Sequence, residues 1–111
     1  MSATLDDLAK MVGVVMVFEY TPDGKCTAYK NVSPEMAAMA SGFCATVTMQ
    51  FNTLAGAFSA LSERPWTPQQ GWIYRGCDYT VIVGNRGYRA VFAETEKADI
   101  NQLTHILLES N

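Results

Sequence analysis

Residues that carry out chemistry are scarce in this chain. It has one histidine, His105, and three cysteines, Cys26, Cys44 and Cys77, at unrelated positions. A lone histidine beside the apolar Ile106 and Leu107 lacks the other members of a metal cluster or of a nucleophile-base-acid set. No catalytic, metal or cofactor-binding residues are therefore expected. No G-x-x-x-x-G-K-[ST] run is present, and the glycines at 71, 76, 84 and 87 fall at the ends of strand-like runs, where they read as turn residues rather than a phosphate cradle. An odd cysteine count without regular spacing points to reduced thiols and a cytoplasmic setting. Basic residues are few as well: 8 Lys and Arg against 11 Asp and Glu leave a net charge of -3, which argues against a nucleic-acid partner. Arg64, Arg75, Arg86 and Arg89 gather against Asp78 alone, and a solvated strand surface accounts for them. The stretch from Met1 to Lys10 is acidic, with no basic segment leading into an apolar run, so no signal peptide is expected.

The most informative absence is that of charge: the 27 residues from Met36 to Ser62 contain no Asp, Glu, Lys or Arg. Just before them stands Ser33-Pro34-Glu35, a helix start in which Ser33 can accept from a free amide, Pro34 fits the first turn and Glu35 faces the positive end of the dipole. The spacing predicts one long helix of roughly 40 Å, more than the cover of one sheet face requires. At 100° per residue, Met36, Ala40, Phe43, Val47, Phe51, Leu54, Phe58 and Leu61 form a large apolar stripe, taken as the core face. Ala38, Ser41, Gly42, Ala45, Met49, Asn52, Gly56, Ser59 and Ala60 form a small, uncharged arc, taken as an interface on which a second backbone approaches, because glycine inside a helix costs about 1 kcal/mol, the alternative being cover by another element of the same chain. A membrane span meets the length criterion but not the polarity one, given Ser41, Thr46, Thr48, Gln50, Asn52, Thr53 and Ser59.

The rest of the 111 residues reads as one domain with no linker, repeat or low-complexity tract. Thr4 caps a first helix through Met11, ended by Gly13. Val14 to Tyr20 and Lys25 to Lys30 form a hairpin about the turn Thr21-Pro22-Asp23-Gly24. Both faces of its first strand are apolar, so both are to be covered. The prolines of Glu63 to Gly71 forbid regular structure, and Trp72 to Arg75, Tyr79 to Gly84 and Tyr88 to Glu94 form a meander with tight connections. Asp99 caps a last helix with Ile100, Leu103, Ile106 and Leu107 on its buried side. The element order is αββαβββα.

That order, together with Val12-Gly13-Val14-Val15 entering the first strand and Pro22-Asp23-Gly24-Lys25 turning the hairpin, resembles the Roadblock family of small dimerising domains. The likeness in element order spans essentially the whole chain, 1–111. It implies an α+β fold, a three-layer α/β/α sandwich about a five-stranded antiparallel sheet, with the long helix on one face and both terminal helices on the other. It also implies association of two copies through the long helix and the strand that follows. Family members act as scaffolds or as regulators of small GTPases and motor assemblies, without chemistry of their own. This chain departs from the better-known members in its long loop around Trp66 and in Glu19, where a strand would carry an uncharged residue. A bacterial branch, some of it in sulfur-oxidising organisms, is the nearer likeness.

The function these readings imply is a non-enzymatic homodimeric scaffold or regulatory subunit. Its dimer face would comprise Ala38, Ser41, Gly42, Ala45, Met49, Asn52, Gly56 and Ala60 with Trp72 and Tyr74, and a further, unidentified protein partner is expected; Trp66 would either contact that partner or pack over the sheet edge. Neither nucleic acid nor membrane insertion enters. The alternative is a small ligand-sensing module beneath the cluster of Trp66, Trp72, Tyr74, Tyr79 and Tyr88. In its thiol-based form it would carry a persulfide or redox species on Cys77, whose pKa Arg75 could lower. Cys44 reads as inert packing on the helix, and Cys26 as a strand residue after the turn.

Overall fold

The computed structural model describes residues 4–109. Helix α1 (Leu5–Ala9) is followed by strands β1 (Val14–Tyr20) and β2 (Cys26–Lys30), helix α2 (Pro34–Ser62), strands β3 (Trp72–Arg75), β4 (Tyr79–Gly84) and β5 (Arg89–Glu94), and helix α3 (Ile100–Glu109). The strands form one antiparallel sheet in the order β2-β1-β5-β4-β3, so β2 and β3 are its edges. Local chemistry explains the boundaries. Thr4 and Asp7 cap α1 reciprocally, Ser33 accepts from the Met36 amide at the start of α2, and Asp99 accepts from the Gln102 amide at the start of α3. Helix α1 ends at Ala9, two residues short of the expected Met11, and Gly13 at φ +83° leads into β1 where Ala98 leaves no room for a side chain.

Two cores flank the sheet. Leu8, Val17, Ile82, Val91, Ala93, Leu103 and Leu107 pack beneath α1 and α3. Met16, Phe18, Tyr20, Val83 and Ala90 pack beneath α2 with Ala40, Cys44 and Ala45 of that helix. This is the three-layer arrangement expected. Glu19 is not an anomaly: it stands opposite Arg89 in the β1–β5 register, and its Oε2 accepts from Arg89 Nη2 at 2.7 Å and Nε at 2.8 Å. Arg89 thus belongs to a half-buried ion pair and not to a free basic surface.

The faces of α2 differ from the sequence expectation. The side turned to the sheet carries Ala37, Ala40, Ser41, Cys44, Ala45 and Thr48. It lies between the two arcs, taking Ala40 from the large one and Ser41 and Ala45 from the small one. The assumed core stripe lies outward: Phe43 is 69% exposed and Leu61 81%, with Met36, Phe51, Leu54 and Phe58 also exposed. The reason is steric. The sheet supplies the bulk through Phe18, Tyr20 and Met16, so a close-lying helix must present small side chains. Ser41 and Ala45 are accordingly corrected from a dimer face to the intramolecular core. The backbone that approaches this arc is the chain's own hairpin turn, since a Cβ on Gly24 would lie 3.2 Å from the Cα of Gly42 and 3.8 Å from the Cβ of Ala45.

Behind α2 the β4–β5 connection is fixed by Thr48, whose Oγ1 donates to Gly87 O at 2.8 Å while accepting from Trp72 Nε1 at 2.8 Å. Gly87 has φ +101°, and a Cβ there would lie 2.4 Å from Thr48 Cγ2. Ala45→Arg should destabilise the fold itself, by about 3 kcal/mol or more, as burial of a bulky charge in a packed layer requires. Chemical denaturation compared with the parent chain checks this.

Candidate interaction site

Helix α2 outruns the sheet that it covers. Its last buried residue is Thr48, and in the roughly three turns beyond Phe51 only Ala55 and Ser59 are partly covered. The segment Pro65–Gly71, which the prolines keep irregular, folds back along this tail as a strap. Trp66 N donates to Ser59 Oγ at 2.9 Å and Trp66 Nε1 to Ser62 Oγ at 3.1 Å, with its ring 5.1 Å from that of Phe58. Further along, Gln69 Nε2 donates to Thr48 O at 3.2 Å and to Asn52 Oδ1 at 2.8 Å. Strand β3 then begins with Trp72, whose ring lies 5.9 Å from Phe51.

The Phe51–Trp72 pair divides two apolar depressions. One, of about 290 Å³, is bounded by Phe43, Val47 and Phe51 of α2 and by Trp72, Tyr74 and Phe92 of the sheet. The other, of about 320 Å³, lies under the strap between Leu54, Phe58, Trp66 and Trp72. No charged side chain lines either. With the exposed Met39, Phe43, Leu61 and Tyr74 they make an apolar flank beside an edge strand. Surfaces of this kind on soluble domains mark sites of association.

The structure brings together only part of the predicted set. Trp72 and Tyr74 lie on this flank. Trp66 packs against its own helix tail but remains 54% exposed. Ala38, Met49, Asn52, Gly56 and Ala60 lie exposed on the other flank of α2, where a Cβ on Gly56 would meet open space, and Gly42 is half-covered by the hairpin turn. The residues missed are Phe43, Val47, Phe51, Leu54 and Phe58, assigned to the core because of their size. The stripe runs on to Leu61 although the strands it would cover have no more than seven residues, and that mismatch was the available signal.

The family described as "Uncharacterized conserved protein (DUF2173)" matches residues 4–109. The chain belongs to that family. Among solved structures, a Roadblock/LC7 domain from Streptomyces avermitilis is similar, with a TM-score of 0.73 at 14% identity over 95% of this chain and 88% of that one. The fold is thus that of a Roadblock domain, as the element order implied. No curated protein matches the chain.

The thiols stand apart from one another. Cys77 is exposed in the β3–β4 hairpin, Cys26 is half-buried with its Sγ 3.4 Å from Ala28 O, and Cys44 is buried. Burial pushes the Cys44 thiol up to about 11 and raises the Tyr20 phenol well above its ordinary range. His105 lies on the exposed side of α3. A maleimide at neutral pH should label Cys77 first and Cys44 only on unfolding, as peptide mass mapping would show. Because the folded-state values of Cys44 and Tyr20 are raised, the stability that Cys44 contributes is complete below its ordinary value of 9.0 and is lost as pH climbs toward about 11, and that of Tyr20 begins to be lost above its ordinary value of 10.0. Melting temperatures measured across that range should fall; a flat profile would contradict the burial of both groups.

Proposed function

We propose that this chain is a non-enzymatic homodimeric scaffold or regulatory subunit, in which a second copy covers the apolar flank of α2 and extends the sheet at β3. One observation carries the proposal: large apolar side chains from Met39 to Leu61 lie outward beside an edge strand that bears the exposed Ile73 and Tyr74. A two-fold contact would hide the stripe and the unpaired edge together. The similar Roadblock fold supports the assignment to a small protein-interaction domain. The absence of chemistry is read from the scarcity of histidine and of nucleophile-base sets in the sequence. The small, uncharged flank at Ala38, Met49, Gly56 and Ala60 stays available to a different protein, such as a small GTPase or a subunit of an enzyme complex, a sulfur-metabolising one included. A cytoplasmic setting fits the free thiols, and among the described residues no helix is long and apolar enough to cross a membrane.

Multi-angle light scattering at micromolar concentration should give twice the chain mass of 12.2 kDa. Phe43→Glu, on the exposed side of α2, should weaken association at least about thirtyfold while leaving the circular dichroism spectrum unchanged. A parent chain that stays monomeric at high concentration would contradict the proposal.

A further inference from the structure

The arginines that gather late in the sequence are not alike in the structure. Arg89 is matched by Glu19, whereas Arg86, at the exposed tip of the β4–β5 turn, forms no ion pair among the described residues. Its backbone lies in the left-handed region at φ +62°, directly after Asn85 at φ +52°, a conformation that residues with a Cβ rarely adopt. Two bonds hold the turn in this form. The Arg86 amide donates to Gln70 O of the strap at 3.2 Å, and Thr48 Oγ1 donates to Gly87 O at 2.8 Å. The root of the arginine side chain is thus fixed beside the strap and not carried on a free loop.

This turn, the strap and the last turn of α3 enclose a cleft of about 770 Å³, within the range of small-molecule sites. Pro65, Trp66, Pro68 and Leu108 supply its apolar walls and Gln70 a polar one, and Arg86 is the one charged side chain among the described lining residues. The cleft shares no lining residue with the groove beside β3, so it does not rest on dimerisation. Its charge selects the ligand. A cation would be repelled, and a neutral molecule would leave the guanidinium unmatched. The carbonyl end of α3 at Leu108 offsets at most about half of one positive charge, so the net field suits one negative charge and not the several of a polyphosphate. A guanidinium fork matches the two oxygens of a carboxylate.

We propose that this cleft binds a small organic monocarboxylate with a flat apolar body, whose carboxylate accepts from the Arg86 guanidinium while its body lies along Trp66 and the strap prolines. The strap, unneeded for covering the sheet, has a physical reason here: it supplies the apolar wall, and through Gln70 O it holds the turn that carries the charge.

The anion β-naphthoate and its amide, β-naphthamide, serve as the probe pair, since they share ring and size but only the first is charged. In heteronuclear NMR titrations of the full chain, naphthoate should bind with a Kd below about 1 mM, as its atom count permits, and should shift the Trp66 indole and Arg86 amide resonances. Naphthamide should bind about tenfold more weakly for want of the charge-assisted pair. Arg86→Gln should bring the two probes level, and Arg86→Lys should restore part of the difference by returning the charge without the fork. Arg86→Gly removes the same guanidinium where the backbone favours glycine, and it serves in place of Arg86→Gln should that variant fail to fold. Titration of Phe43→Glu, which removes the proposed dimer contact, should give unchanged binding. No shift at Trp66 at the solubility limit of naphthoate, equal binding of the two probes, a preference that survives loss of the guanidinium, or binding lost in Phe43→Glu would each overturn the proposal.

Discussion

The close approach of α2 to the sheet governs the rest of the structure. The two surfaces share out bulk unequally: Phe18, Tyr20 and Met16 rise from the strands, and Ala37, Ala40, Ser41, Cys44 and Ala45 line the helix. Interiors are packed as densely as organic crystals, so a helix with large side chains on this side would have to stand farther off. Once the small side is committed inward, the phenylalanines have no place in the core. They emerge on the flank beside β3, where only Trp72 and the strap partly cover them. The same constraint therefore builds the core beneath α2 and the surface through which the protein is proposed to act.

Thr48 links these two consequences. It is the last fully buried residue of α2, and its hydroxyl joins the helix to the β4–β5 turn at Gly87 and to the first residue of β3 at Trp72. Its carbonyl receives Gln69 of the strap. Fold, edge strand and strap meet at one residue. Beyond it, the tertiary contacts of α2 come from Trp72, against Phe51, and from the strap. Elements held by so few buried contacts lie at the low end of local stability, where interaction surfaces are commonly found.

Much of the fold was legible in the sequence because its signals are local. Thr4, Ser33 and Asp99 cap their helices through atoms three residues away, and Thr21-Pro22-Asp23-Gly24 turns the hairpin with φ +86° at Gly24. The element order followed, and with it the Roadblock likeness. The face of α2 was not legible, because the choice between a stripe of phenylalanines and an arc of alanines depends on what the opposing strands bring, a tertiary fact. Size alone favoured the wrong side. Glu19 was opaque for the same reason, since its partner Arg89 lies seventy residues along the chain. The strap was seen as a loop, but nothing local placed Trp66 on Phe58 or Gln69 on Thr48.

The central claim is that the phenylalanine flank of α2 faces outward in one copy and is covered by a second. Hydroxyl-radical footprinting across a concentration series, read by mass spectrometry at Phe43, Phe51 and Phe58, tests both halves at once. The account predicts ready oxidation at nanomolar concentration and protection that grows as the chain associates, while Phe18 stays protected throughout. Protection of Phe43 and Phe58 at every concentration would place them in the chain's own core, and oxidation at every concentration would leave the flank without a second copy; either result would contradict the account.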